Sequence, residues 1–201
     1  MKKSAVLSFL CVLLLTMRTG VKDNANVCLT ESALPGPYGK MLRIEILDYD
    51  CLRNLGVPVE KDGRTFKAKL WWDEISLRGA KAWATAGGDR HLGEPAVTSP
   101  SYGKGHAWYA ASSPDAPLWT LMIRTLAERA DVSSLGSTPE GLELARRRTR
   151  DTDYPFALNH TGKEQPFEAG AEWKIVAESG TADSPALLGP YGFKIFEKKT
   201  S

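Results

Sequence analysis

The sequence predicts an α+β fold, an antiparallel sheet with two central helices in a single compact domain that follows an N-terminal signal segment. Three observations carry this. Apolar and polar residues alternate at 41–49 and 65–72, and again at 172–178 and 193–197, near the two ends of the chain. Between them lie two stretches with capping residues and helical spacing. Strands grouped at the ends with helices between them favour an antiparallel sheet over repeated βαβ units.

The head of the chain is read first. Lys2 and Lys3 precede an unbroken apolar run over residues 5–17, short of the roughly 20 residues that span a bilayer but within the length of a secretory signal. The run is apolar on every face, unlike a buried amphipathic helix. Residues 1–20 are therefore expected to be a signal peptide, or an N-terminal anchor if uncleaved, because neither 16–20 nor 22–26 offers small residues at both cleavage positions. A leader over 21–40, with Asn24, Asn26, Pro35, Gly36 and Pro37, leads into a domain over 41–201.

Removing that head changes two other readings. It removes Cys11 and leaves Cys28 and Cys51 as an even pair in an exported chain, so a disulfide between them is expected. It would close a loop of roughly 22 residues, worth about 3 kcal/mol in chain entropy. Neither cysteine sits in a C-x-x-C or zinc pattern, and no metal or cofactor is expected. The formal charge falls from +2, with 26 Lys plus Arg against 24 Asp plus Glu, to −1 once Lys2, Lys3 and Arg18 are discounted. A near-neutral body argues against nucleic acid as a partner.

In the domain itself, Leu42, Ile44 and Ile46 alternate with Arg43 and Glu45 as a half-buried strand requires. Asp62-Gly63 marks a tight turn. After it Phe66, Ala68, Leu70 and Trp72 share one face, Lys67 and Lys69 the other, and Trp71 is set opposite Trp72. Residues 73–86 fit a strand or a short helix equally. Residues 87–117, rich in Gly, Pro and Ser, read as a loop region, and loops this long are uncommon unless functional or disordered.

The first helix is predicted from caps at Ser113 or Asp115, with Pro114 or Pro117 in its first turn and Leu118, Leu121, Met122, Thr125, Leu126 and Arg129 at helical spacing. A second is predicted from Ser137 or Thr138 through Glu140 to Arg148. Its terminal arginines would complement the helix dipole, which explains the Arg146–Arg148 cluster without a ligand. Two final strands place Trp173, Ile175 and Ala177 on one face, and Phe193 and Ile195 opposite Phe196, joined by a long hairpin loop over 179–190. Gly-Pro-Tyr-Gly occurs at 36–39 and at 189–192, either as a reused turn or as a marker of neighbouring strands.

The chemistry is sparse. Zinc-protease, serine-hydrolase and phosphate-loop motifs do not occur in the sequence. The catalytic candidates are His91 and His106 with Asp89 and Glu94, and Asp115 as a further carboxylate. Tyr102, His106, Trp108 and Tyr109 form a candidate binding surface in the loop region, aromatic side chains being typical interface anchors. Asn159-His160-Thr161 fits a glycosylation acceptor. The function expected is an exported, non-catalytic binding protein, secreted or periplasmic, of the inhibitor or immunity type. A secreted hydrolase using His91 or His106, and a structural envelope component, are the alternatives. The partner expected is a protein, with membrane contact through the head alone if it is retained.

Overall fold

A computed structural model describes residues 12–30, 32–167, 169, 172–180 and 187–199. The cationic start and first part of the apolar head, including Cys11, lie outside the described residues. The chain divides into two compact units, Met1–Val132 and Ser133–Ser201.

The first unit is built on one sheet. Its strands are β1 (Val12–Thr16), β2 (Ile44–Lys61), β3 (Arg64–Leu77), β4 (Ala82–Ala86), β5 (Pro95–Thr98), β6 (Ser101–Tyr102), β7 (Gly105–Ala110) and β8 (Ser112–Pro114). Among the described residues two α-helices accompany them, a single turn α1 (Gly39–Leu42) and α2 (Ala116–Arg129). The strand order is β1-β7-β5-β4-β2-β3-β8, with β6 paired to β7. β1 runs parallel to β7, and the other pairs are antiparallel. Ala111 alone separates β7 from β8; its N–H donates to Ala96 O at 2.9 Å, and its carbonyl accepts from Asp73 N–H at 2.8 Å. Residues 105–114 thus touch β5 on one side and β3 on the other, and the sheet path returns on itself.

The expectation of an α+β domain with two central helices is overturned by this strand-dominated fold. The region 87–117 is the clearest case: it holds β5 to β8 in place of a loop. β7 is covered on both faces. Trp108 and Ala110 join the core of Val59, Phe66, Trp72, Val97, Leu118 and Met122, while Ala107 and Tyr109 join that of Leu42, Ile44, Ile46 and Ile75. A strand buried on both faces shows no alternation, so its period is invisible in sequence.

Local signals are realised where they act over a few residues. Asp62 (φ 50°) and Gly63 (φ 72°) turn β2 into β3, the backbone that a two-residue hairpin needs. Asp115 caps α2, accepting from Leu118 N–H at 3.0 Å, and its other oxygen accepts from Lys67 N–H at 3.0 Å. The alternation at 41–49 belongs to a much longer β2, entered through α1. Val12–Thr16 of the apolar head forms the edge strand β1.

The second unit carries β9 (Leu142–Arg148), β10 (Thr152–Asn159), β11 (Gln165–Pro166), β12 (Lys174–Ser179), β13 (Leu187–Leu188) and β14 (Phe193–Lys199). Its antiparallel sheet runs β12-β14-β10-β9, with β11 paired to β13. The second predicted helix is absent from the described residues; 142–148 is a strand. Leu142 and Leu144 face the core with Phe167 and Phe196, and pairing to β10 overrides the helix propensity of Leu, Glu, Ala and Arg. Arg148 is held instead by Asp153, at 2.5 and 2.9 Å. The two final strands do pair, β12 with β14, and residues 181–186 between them lie outside the described residues. The core side of β14 is that of Phe196. The two Gly-Pro-Tyr-Gly segments precede β2 and β14, which belong to different sheets. Asn159 is buried, its amide donating to the carbonyls of Lys163, Leu188 and Gly189, so it is a structural anchor, not a glycan acceptor.

Candidate functional site

The segment Trp71-Trp72-Asp73-Glu74 lies in β3, where successive side chains point to opposite faces. That alternation splits four consecutive residues into two constellations. Trp72 and Glu74 share a face with Asp50, which is the cross-strand partner of Trp72. Trp71 and Asp73 share the other with Tyr49, the partner of Asp73.

On the first face the β4–β5 connection brings in a histidine. It is closed by Ala86 N–H to Glu94 O at 2.8 Å and Gly93 N–H to Ala86 O at 2.9 Å. His91 sits at its tip with φ 66° and its ring stacks on Trp72, centroids 5.0 Å apart. The side chain is 6% exposed. Nδ1 lies 3.0 Å from Glu94 Oε2 and Nε2 lies 3.2 Å from Asp50 Oδ2. Trp72 Nε1 donates to the same Glu94 oxygen at 2.7 Å, and Arg90 pairs with Asp50. One oxygen of Glu74, one of Glu94 and a ring nitrogen of His91 lie within 4.8 Å of one another. An imidazole set among three carboxylates can hold a proton or a divalent cation.

On the second face Tyr109 Oη donates to Asp73 Oδ2 at 2.5 Å and Trp71 Nε1 donates to Oδ1 at 2.9 Å. Burial holds the Asp73 carboxyl above its usual range, against the lowering effect of bonds from Tyr109, Trp71 and the Arg18 backbone. Burial likewise pushes the Tyr109 hydroxyl up, and the Asp73 charge adds to it. Trp71 is sandwiched between Tyr49, centroids 4.7 Å apart, and the Arg18 guanidinium at 4.6 Å.

Of the residues singled out from sequence, the fold brings His91 and Glu94 together. Asp89 is exposed. His106 is elsewhere, in β7, with Arg129 Nη1 3.4 Å from its Nδ1. Asp115 serves as a helix cap. The four residues expected to form one binding surface are separated: Tyr102 is 53% exposed at the end of β6, while Trp108 and Tyr109 have no exposed area and pack on opposite faces of β7. Asp50, Trp72 and Glu74 were missed. Asp50 is 41 residues from His91, and the two are joined by strand register together with the closure of the β4–β5 connection. Cys28 and Cys51 are both free and exposed, which overturns the expected disulfide.

Residues 11–133 match the family model described as the beta-galactosidase trimerisation domain. The chain belongs to that family. The match coincides with the first unit, so both constellations lie inside it. Beta-galactosidase BgaA of Planococcus sp. (strain 'SOS Orange') is 31% identical over 193 residues, covering 92% of this chain and 28% of its own length. Among solved structures, the beta-galactosidase from Bacillus circulans sp. alkalophilus is similar with a TM-score of 0.80 at 27% identity, over 93% of this chain and 29% of that one. The cold-adapted beta-galactosidase from Rahnella sp. R3 gives 0.76 at 26%, over 94% and 28%. The chain thus spans less than a third of the length of these relatives.

Family membership overturns the expectation of a non-catalytic inhibitor or immunity-type factor: the relatives are beta-galactosidases. It supports a protein partner for the chain.

Proposed function

We propose that this chain is the self-association module of a beta-galactosidase and that its partner is two further copies of itself. The family match over 11–133 carries the reading. The fold supplies a surface for it: Leu47, Tyr49, Leu55 and Leu70 are more than half exposed along the β2–β3 ribbon. Large apolar side chains displayed in this way are typical of surfaces that a partner covers. A three-fold assembly is heterologous, so this ribbon would meet a different patch on the next copy. Galactoside hydrolysis, the activity in the relatives' names, is proposed as a property of the assembled enzyme. Light scattering on the eluting chain tests the reading. A mass three times the 22.0 kDa chain is expected, with a shift to monomer for the paired change Leu47→Asp and Leu55→Asp. A strictly monomeric parent at high micromolar concentration refutes it.

A further inference from the structure

We propose that Glu74, His91 and Glu94 form a binding site for a divalent transition metal of the zinc class, which ties the β4–β5 connection to the β2–β3 ribbon. Three features converge on a cation. The first is the donor set: one imidazole nitrogen and two carboxylate oxygens within 4.8 Å of one another. With metal–ligand bonds of about 2.0–2.2 Å, the ligand atoms of one zinc shell stand roughly 3–3.5 Å apart. His91 Nδ1 and Glu94 Oε2 are already 3.0 Å apart, and the half-buried Glu74 brings the third donor within 4.8 Å of both residues' ligand atoms.

The second feature is the support behind those ligands. A metal-ligating histidine donates its other ring N–H to a carboxylate or carbonyl, which fixes the tautomer. Here Nε2 faces Asp50 Oδ2 at 3.2 Å, leaving Nδ1 as the nitrogen directed at Glu94. The ring is also clamped by Trp72, whose Nε1 orients Glu94. The third is charge. Asp50, Glu74 and Glu94 gather around His91, and among the described residues the permanent cation that pairs with them is Arg90, on Asp50. A zinc ion with a water in its fourth position balances the set.

The site is independent of self-association, so either reading can fail without the other. The test is calorimetric titration of the full chain with zinc chloride alone. Cys11, Cys28 and Cys51 are changed to Ser so that no thiol competes. One zinc per chain is expected, with a change in Trp72 fluorescence. His91→Asn, a residue that tolerates the left-handed backbone, and Glu74→Gln should each weaken binding at least 100-fold. Asp50→Asn, acting through the histidine, should weaken it 10- to 100-fold. His106→Gln should change nothing. Circular dichroism without zinc checks folding, and Glu74→Gln, at a half-exposed position, decides the matter if His91→Asn does not fold. Absence of binding, or binding retained in Glu74→Gln, overturns the proposal.

Discussion

Replacing Tyr109 by Phe removes one oxygen from the most buried polar pair in the first unit. The ring stays packed among Leu42, Ile44, Ile46 and Ile75, so the cost is that of the hydrogen bond. Its acceptor is a buried carboxylate, Asp73 Oδ2, at 2.5 Å. Hydrogen bonds to charged groups contribute about 1.5–3 kcal/mol, and a buried acceptor that loses its donor incurs the desolvation cost. Asp73 keeps Trp71 and the Arg18 backbone, which places the loss near the middle of that range, about 2 kcal/mol. With a urea slope of about 2 kcal/mol per molar, the midpoint should fall by about 1 M. Tryptophan fluorescence is the probe, because positions 71, 72, 83, 108 and 119 lie in the first unit and only Trp173 in the second. The pH dependence gives an independent sign. Asp73 has a raised pKa in the fold, so its contribution to stability falls as pH rises from its ordinary value through the folded one. The Tyr109 bond opposes that rise. Its loss moves the folded pKa further up, and the deficit of the variant should be larger at pH 7 than at pH 3. A midpoint within about 0.2 M of the parent, or a deficit equal at both pH values, would refute the reasoning.

Other outcomes follow from the same structure. Asp115→Ala removes the cap of α2 and a bond to Lys67 N–H, and should cost about 1–2 kcal/mol in the first unit by urea unfolding. Asn159→Asp turns an amide that donates to three carbonyls into a carboxylate facing them; a loss of at least about 2 kcal/mol, read from Trp173 fluorescence, is expected. Cys28 and Cys51 should both react with a thiol reagent in the folded, unreduced protein, since both are free and exposed; protection of the pair until a reductant is added would contradict the structure. Deleting residues 1–16 takes β1 from the edge of β7 and should lower the thermal midpoint measurably, where removal of a mere leader would leave it unchanged.

What the sequence determined by itself is what neighbouring residues decide among themselves. The Asp62-Gly63 reversal needs only a backbone free to take positive φ. The α2 helix needs only a cap at Asp115 and a stripe at Leu118, Met122 and Leu126. The opposition of Trp71 and Trp72 needs only the pleat of a strand. Tertiary structure decided the rest. β7 carries no period because both its faces are covered, and residues 142–148 are a strand because β10 pairs with them, whatever their helix propensity. The candidate site is the same lesson at longer range: the three-residue step from His91 to Glu94 is visible in sequence. Asp50 and Glu74 join them through the register of β2 on β3 and the closure of the β4–β5 connection. Pairing across strands is a choice among many registers, made by the burial of whole faces at once, and no local pattern of residues records it.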